Sequence, residues 1–102
     1  MASGCMRATL EIYKVRQRDG TKKPRTRYQW RLVANNGENL ARGSQARGFA
    51  TVRSCWRNAS LTALALAGTY GDLLPWSCPA AGQTVVRKHP TMGHELTITR
   101  TA

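Results

Sequence analysis

Two stretches near the start of the chain alternate between apolar and polar residues, and this alternation constrains the fold more than any other feature. Residues 8–15 alternate around Leu10 and Ile12, and residues 27–34 alternate around Trp30. A period of two, with β-branched and aromatic residues, is typical of a β-strand that buries one face. The sequence therefore predicts two strands whose apolar faces must be covered by a second layer.

The residues beside these strands predict how they are connected. Asn35-Asn36-Gly37 follows the second strand and contains residue types that tolerate a positive φ, as a tight hairpin turn requires. We expect a short third strand after it, at about residues 38–42. Residues 16–26 are polar and contain Gly and Pro, so we expect a long hairpin loop between the first two strands.

The rest of the chain predicts one helix and two more strands. Thr51 suits an N-cap, the next apolar residues recur with helical spacing, and Gly68 suits a C-cap. Residues 84–87 and 95–99 read as strands joined by a turn. We predict a single α+β domain over the whole chain, an antiparallel sheet of three to five strands with one amphipathic helix packed on one face.

The charge of the chain is strongly one-sided and indicates its partners. Sixteen basic residues face five acidic ones in 102 residues, a net charge of +11. Such a balance favours polyanionic partners such as nucleic acid, an anionic membrane face or an acidic protein, although a solvated basic surface without a ligand is the alternative. The excess is greatest before residue 32, around the first hairpin. A two-stranded ribbon fits the major groove, so we expect nucleic acid to contact the hairpin and the polar sheet face, through Arg16, Arg18, Lys22, Lys23, Arg25, Arg27, Gln29 and Arg31, with Tyr13 beside them.

An apolar cluster supports a second hypothesis, a homodimeric module that binds and modulates a partner protein. Leu73, Leu74 and Trp76 fall in an irregular connection after the helix. Apolar residues in such a place form either a plug of the core or a protein-binding patch. Moderate salt distinguishes the two functions, because only phosphate-driven binding weakens steeply with it.

No pattern for catalysis, for a cofactor or for a metal is present. Cys55 and Cys78 lie too far apart in sequence for one half of a zinc module, and His89 and His94 fit the turn between the last two strands. Paired carboxylates, a phosphate-binding glycine loop and a nucleophile elbow are absent from the sequence. We therefore expect a non-enzymatic protein. Three unpaired cysteines and no long apolar stretch favour a cytoplasmic location away from membranes.

Residues 8–60 resemble the YegP-like family of small bacterial and archaeal proteins. The resemblance is carried by Leu10-Glu11-Ile12-Tyr13, Tyr28-Gln29-Trp30-Arg31-Leu32, Asn35-Asn36-Gly37, and Gly48-Phe49 before a helix with Arg57-Asn58. It implies a ββ(β)α unit over residues 8–67, often found in tandem or paired copies, and hence a homodimer. It implies no catalytic residue, and residues 68–102 have no counterpart in it.

Overall fold

The computed structural model describes residues 7–17, 23–65, 77–88 and 93–102, and the fold is clear within these ranges. It contains five strands and one helix: β1 (Arg7–Gln17), β2 (Arg25–Ala34), β3 (Asn39–Arg42), α1 (Val52–Ala65), β4 (Thr84–Lys88) and β5 (Glu95–Arg100). The predicted α+β fold is confirmed, and each predicted strand is present. The predicted loop over residues 16–26 was too long, because residues 16–17 and 25–26 pair with each other and extend β1 and β2. The predicted C-cap Gly68 and the predicted turn at His89 lie outside the described residues.

The five strands form one sheet in the order β3-β2-β1-β5-β4. All neighbours are antiparallel except β1 and β5, which run parallel from Arg7 opposite Glu95 to Ile12 opposite Arg100. The sheet is therefore mixed rather than wholly antiparallel. After the first three strands, the chain forms α1 and then returns to place β5 beside β1. Strands joined by a tight turn must be antiparallel, but β1 and β5 are not joined in that way and can run parallel.

Local chemistry explains where the elements begin and turn. Gly37 has a φ of 88° and its N–H donates to Ala34 O at 2.9 Å, which closes the turn between β2 and β3. A positive φ is costly for residues with a Cβ, so glycine suits this position. At the start of α1, Thr51 Oγ1 accepts from Ser54 N–H at 3.1 Å, the geometry of an N-cap.

The core lies between one face of the sheet and α1. Alternate strand residues point to this face, and Leu10 of β1 lies opposite Leu32 on one side and Ile98 on the other. Cys55, Trp56 and Ala59 of α1 complete the buried cluster. Trp30, only 2% exposed, is among its largest fully buried side chains. The predicted packing of the helix over the Trp30 and Leu32 face is thus confirmed.

The first two strands extend beyond the rest of the sheet. β1 pairs with β2 from Ala8 to its end at Gln17, but β5 accompanies β1 only as far as Ile12. Residues 13–17 and 25–29 therefore form a two-stranded extension, which we call the ribbon. Among the described residues, no helix is both long and apolar enough to span a membrane.

Candidate nucleic-acid interface

The ribbon displays basic side chains on both of its faces. Lys14 pairs with Tyr28 and Arg16 pairs with Thr26, on the face that continues the core side of the sheet. Arg25 pairs with Gln17 and Arg27 pairs with Val15, on the opposite face. Successive residues of a strand point to opposite sides, so the register places two basic residues on each side.

The predicted hairpin residues are placed as follows. Arg16, Lys23 and Arg25 are exposed, and Arg27 is half-buried. Arg18 and Lys22 lie outside the described residues, as do Leu73, Leu74 and Trp76 of the alternative hypothesis. The described part of the hairpin thus keeps three exposed cations in the positions expected of phosphate contacts.

The charged side chain of Arg27 also forms a hydrogen bond within the protein. Its Nη2 donates to Gly48 O at 3.1 Å and ties the ribbon to the segment that leads into α1. Phe49, next in sequence, forms an isolated antiparallel bridge with Tyr28. Arg27 therefore stands where the ribbon joins the body of the protein.

The prediction that Gln29 lies on an open sheet surface is wrong. Gln29 is only 8% exposed. Its Nε2 donates to Gln45 O at 2.8 Å, and its Oε1 accepts from Trp30 N–H at 3.1 Å. The physical reason is that the chain after β3 folds over this side chain. The amide of Gln29 is used inside the protein and holds that chain segment in place.

Arg31 is on the predicted face but is engaged there. Its Nε lies 2.5 Å from Glu11 Oε2, and its guanidinium carbon lies 5.2 Å from the centre of the Tyr13 ring. The hydrogen bond to Glu11, and then the charge of that carboxylate, raise the pKa of Arg31 above its usual value. Arg31, Glu11 and Tyr13 form one surface cluster in which the carboxylate offsets the cation.

Residues 43–48, which we call the 43–48 loop, belong to the same surface and were missed by sequence reasoning. Asn58 of α1 fixes the loop: its Oδ1 accepts from Ser44 N–H at 3.2 Å, and its Nδ2 donates to Ser44 Oγ at 3.1 Å. The same Oδ1 accepts from Trp30 Nε1 at 2.9 Å. One helix residue thereby joins the core tryptophan to an exposed loop.

The signal for this second basic region is present in the sequence. Residues 39–71 contain no Asp or Glu, yet they contain four arginines: Arg42, Arg47, Arg53 and Arg57. The structure places Arg42 opposite Arg31 across β2 and β3, on the face away from α1. Basic charge therefore continues from the ribbon to the β3 edge of the sheet.

The two described thiols are not activated. Cys55 is fully buried, and burial raises its pKa from 9.0 to about 12. Burial also raises the pKa of Cys78, against the opposing effect of Arg100. A reactive thiol needs the reverse shift. In the described part of the chain, no group of three or more His, Cys, Asp or Glu side chains could hold a metal ion.

Comparisons with protein-family models, with curated proteins and with solved structures found no match to this chain. The resemblance to the YegP-like family therefore stays a prediction. The properties that bear on function are those of this chain's own surface: a basic ribbon, an arginine-bearing loop and a sheet face between them.

Proposed function

We propose that this protein binds nucleic acid, with the ribbon as its main contact and duplex DNA as the best-fitting ligand. The observation that carries the proposal is the ribbon itself, which extends beyond the core and has basic residues on both faces. Its described residues, 13–17 and 25–29, include no Asp or Glu. Within these residues, no carboxylate of the ribbon itself offsets the cations.

The dimensions of the ribbon suit a groove. Beyond the bridge between Tyr28 and Phe49, residues 15–17 and 25–27 leave three residues of each strand, about 10 Å at roughly 3.4 Å per residue. Two paired strands are about 5 Å apart, and the major groove of B-form DNA is about 12 Å wide and admits such a ribbon. Basic residues on both faces can then reach phosphates on either side of the groove.

The chemistry favours binding with little sequence preference. Arginine and lysine contacts to phosphate give affinity and orientation but carry no sequence information. Gln29, whose amide type could read an adenine edge, is buried and bonded within the protein. We therefore expect affinity that depends steeply on salt and weakly on sequence.

The experiment compares two variants of equal charge change. One replaces Lys23 and Arg25 with Gln in the hairpin, and the control replaces Arg87 and Lys88 with Gln on β4. Fluorescence anisotropy with duplex DNA, single-stranded DNA and duplex RNA, each at several salt concentrations, gives affinity and salt slope. Each phosphate contact contributes about −0.9 to the log–log slope on duplex DNA.

We expect the hairpin variant to bind more weakly and to lose about 1.8 from the slope, since two contacts are removed. The control should change much less. Equal losses in both variants would show that only net charge matters and would reject the ribbon as the contact. A parent protein that binds no nucleic acid at low salt would reject the function.

One observation favours a second candidate, the homodimeric module. β4 is an edge strand in the described sheet, and Val86 near its centre is 53% exposed. An edge strand can pair with a strand of a second copy or of another protein. Light scattering at high micromolar protein tests the dimer, and a monomer mass there would reject it.

A further inference from the structure

The 43–48 loop is held more firmly than a simple connection requires. Three side chains from two other elements bond to it: Gln29 reaches Gln45 O, Arg27 reaches Gly48 O, and Asn58 bonds both to the backbone and to the side chain of Ser44. Within the loop, Gly48 N–H donates to Gln45 O at 2.9 Å. The loop therefore keeps one shape on the protein surface.

Glycine at each end of the loop allows this close approach. A Cβ on Gly43 would overlap Gln29 Oε1 and lie 2.9 Å from the Phe49 ring. Gly48 has a φ of 85°, and a Cβ there would meet Val15 and the backbone of Tyr28 at 3.0 to 3.1 Å. The loop is thus seated against β2 and the ribbon rather than extended into solvent.

The firmly held segment is nevertheless open to a ligand. Residues 44–47 are exposed between two buried glycines, and Arg42 before them is exposed too. Arg42 stands opposite Arg31 on the same sheet face as Arg25 and Arg27. A fixed, exposed, arginine-bearing loop beside a basic ribbon has the properties of a contact to a phosphodiester backbone.

We propose that Arg42 and the 43–48 loop form a second phosphate-contact site, which engages the same duplex as the ribbon. This inference rests on the proposed function, because it extends the ribbon's site along the nucleic acid. Arg25 and Arg31 are six residues apart in β2, about 20 Å at roughly 3.4 Å per residue. Arg42 lies opposite Arg31, so at a rise of about 3.4 Å per base pair about six base pairs separate Arg25 from Arg42, whereas Arg47 is next to Gly48, which bonds to Arg27 of the ribbon.

The separation between the contacts allows a test that distinguishes the second site from a general effect of net charge. The test variant replaces Arg42 and Arg47 with Gln, and the matched control replaces Arg53 and Arg57 with Gln on α1. Both variants remove two arginines, but α1 lies on the opposite face of the sheet. Each protein is titrated with a duplex of 16 base pairs and with a stem-loop of five base pairs over a series of salt concentrations.

We expect the loop variant to lose about 1.8 from the salt slope on the 16-base-pair duplex, and to lose less on the short stem, which can reach Arg47 beside the ribbon but not Arg42. The α1 control should match the parent on both. Equal slopes for parent and loop variant on the long duplex would overturn the second site and leave the ribbon's role intact. A loss of equal size in the α1 control, or on the short stem, would also overturn it.

Two single variants test the second site if the double variant is unstable. Arg42→Gln alone lies outside the hydrogen-bond network and should remove about 0.9 from the slope. Asn58→Ala keeps every charge but frees Ser44 at the start of the loop, while the bonds from Gln29 and Arg27 remain, so we expect weaker binding to the long duplex. If the parent binds no duplex at all, the proposed function fails and the second site with it.

Discussion

Replacing Asn58 with Ala tests the junction between the core and the exposed surface. The change removes three hydrogen bonds: from Trp30 Nε1 at 2.9 Å, from Ser44 N–H at 3.2 Å and to Ser44 Oγ at 3.1 Å. Ser44 is exposed, so water can replace its partner. Trp30 is 2% exposed, so its indole N–H loses its acceptor without such a replacement.

The expected loss of stability follows from this difference in exposure between Ser44 and Trp30. A buried donor left without an acceptor costs about 1–3 kcal/mol. Alanine in place of asparagine within a helix returns up to about 0.7 kcal/mol through its higher helix propensity. The free energy of unfolding should therefore fall by about 0.3–2.3 kcal/mol, and the melting temperature by roughly 4–8 °C per kcal/mol for a domain of this size.

Urea unfolding followed by tryptophan fluorescence and by circular dichroism measures the effect. Arg57→Ala is the control, because Arg57 is the exposed neighbour of Asn58 in the same helix. Trp30→Phe, made alone and with Asn58→Ala, completes a double-mutant cycle whose interaction energy reports the indole bond. If Asn58→Ala is as stable as Arg57→Ala, or if the cycle shows no interaction energy, the proposed link between loop and core is refuted.

Three further predictions concern the core and the loop. Trp30→Ala should lower the free energy of unfolding by about 3–5 kcal/mol, and unchanged thermal denaturation would contradict its burial. Gly43→Ala should lower the free energy of unfolding by about 1–3 kcal/mol through overpacking, and adding Gln29→Ala should relieve that cost. At Gly37 a Cβ has open space, so adding Gln29→Ala to Gly37→Ala should bring no relief. Because burial raises the pKa of Cys55 from 9.0 to about 12, the thiol ionises at a lower pH in the unfolded protein than in the folded protein. The contribution of Cys55 to the free energy of unfolding should therefore be complete below pH 9 and decline from pH 9 towards 12. Denaturation at several pH values should show a shallower decline in Cys55→Ala, and identical slopes would reject the assignment.

The fold was predictable where the local pattern dictates it. Alternation marked β1 and β2, Asn35-Asn36-Gly37 marked the turn, and Thr51 marked the start of α1. These features depend on residues close together in sequence. The parallel pairing of β1 with β5 depends on a return of the chain over more than eighty residues, and no local pattern encodes such a partner.

The candidate site was predictable in charge but not in geometry. The basic hairpin could be recognised because its cations lie close together in the sequence. The burial of Gln29 could not, because it follows from the 43–48 loop folding over the strand. The role of Asn58 could not be read either, since an asparagine on a helix looks the same whether it faces water or bonds to a loop fourteen residues earlier.

The placement of the charges explains how such a basic chain can still have a compact core. In the described residues, Glu11 offsets Arg31, and Glu95 lies 3.7 Å from Lys88. Both pairs are on the sheet, where strands pack side by side and like charges repel most. The ribbon has no such carboxylate, but its exposed cations are surrounded by water, whose high dielectric constant weakens the repulsion between them. Acidic residues thus offset basic charge within the sheet, and the ribbon keeps its positive charge.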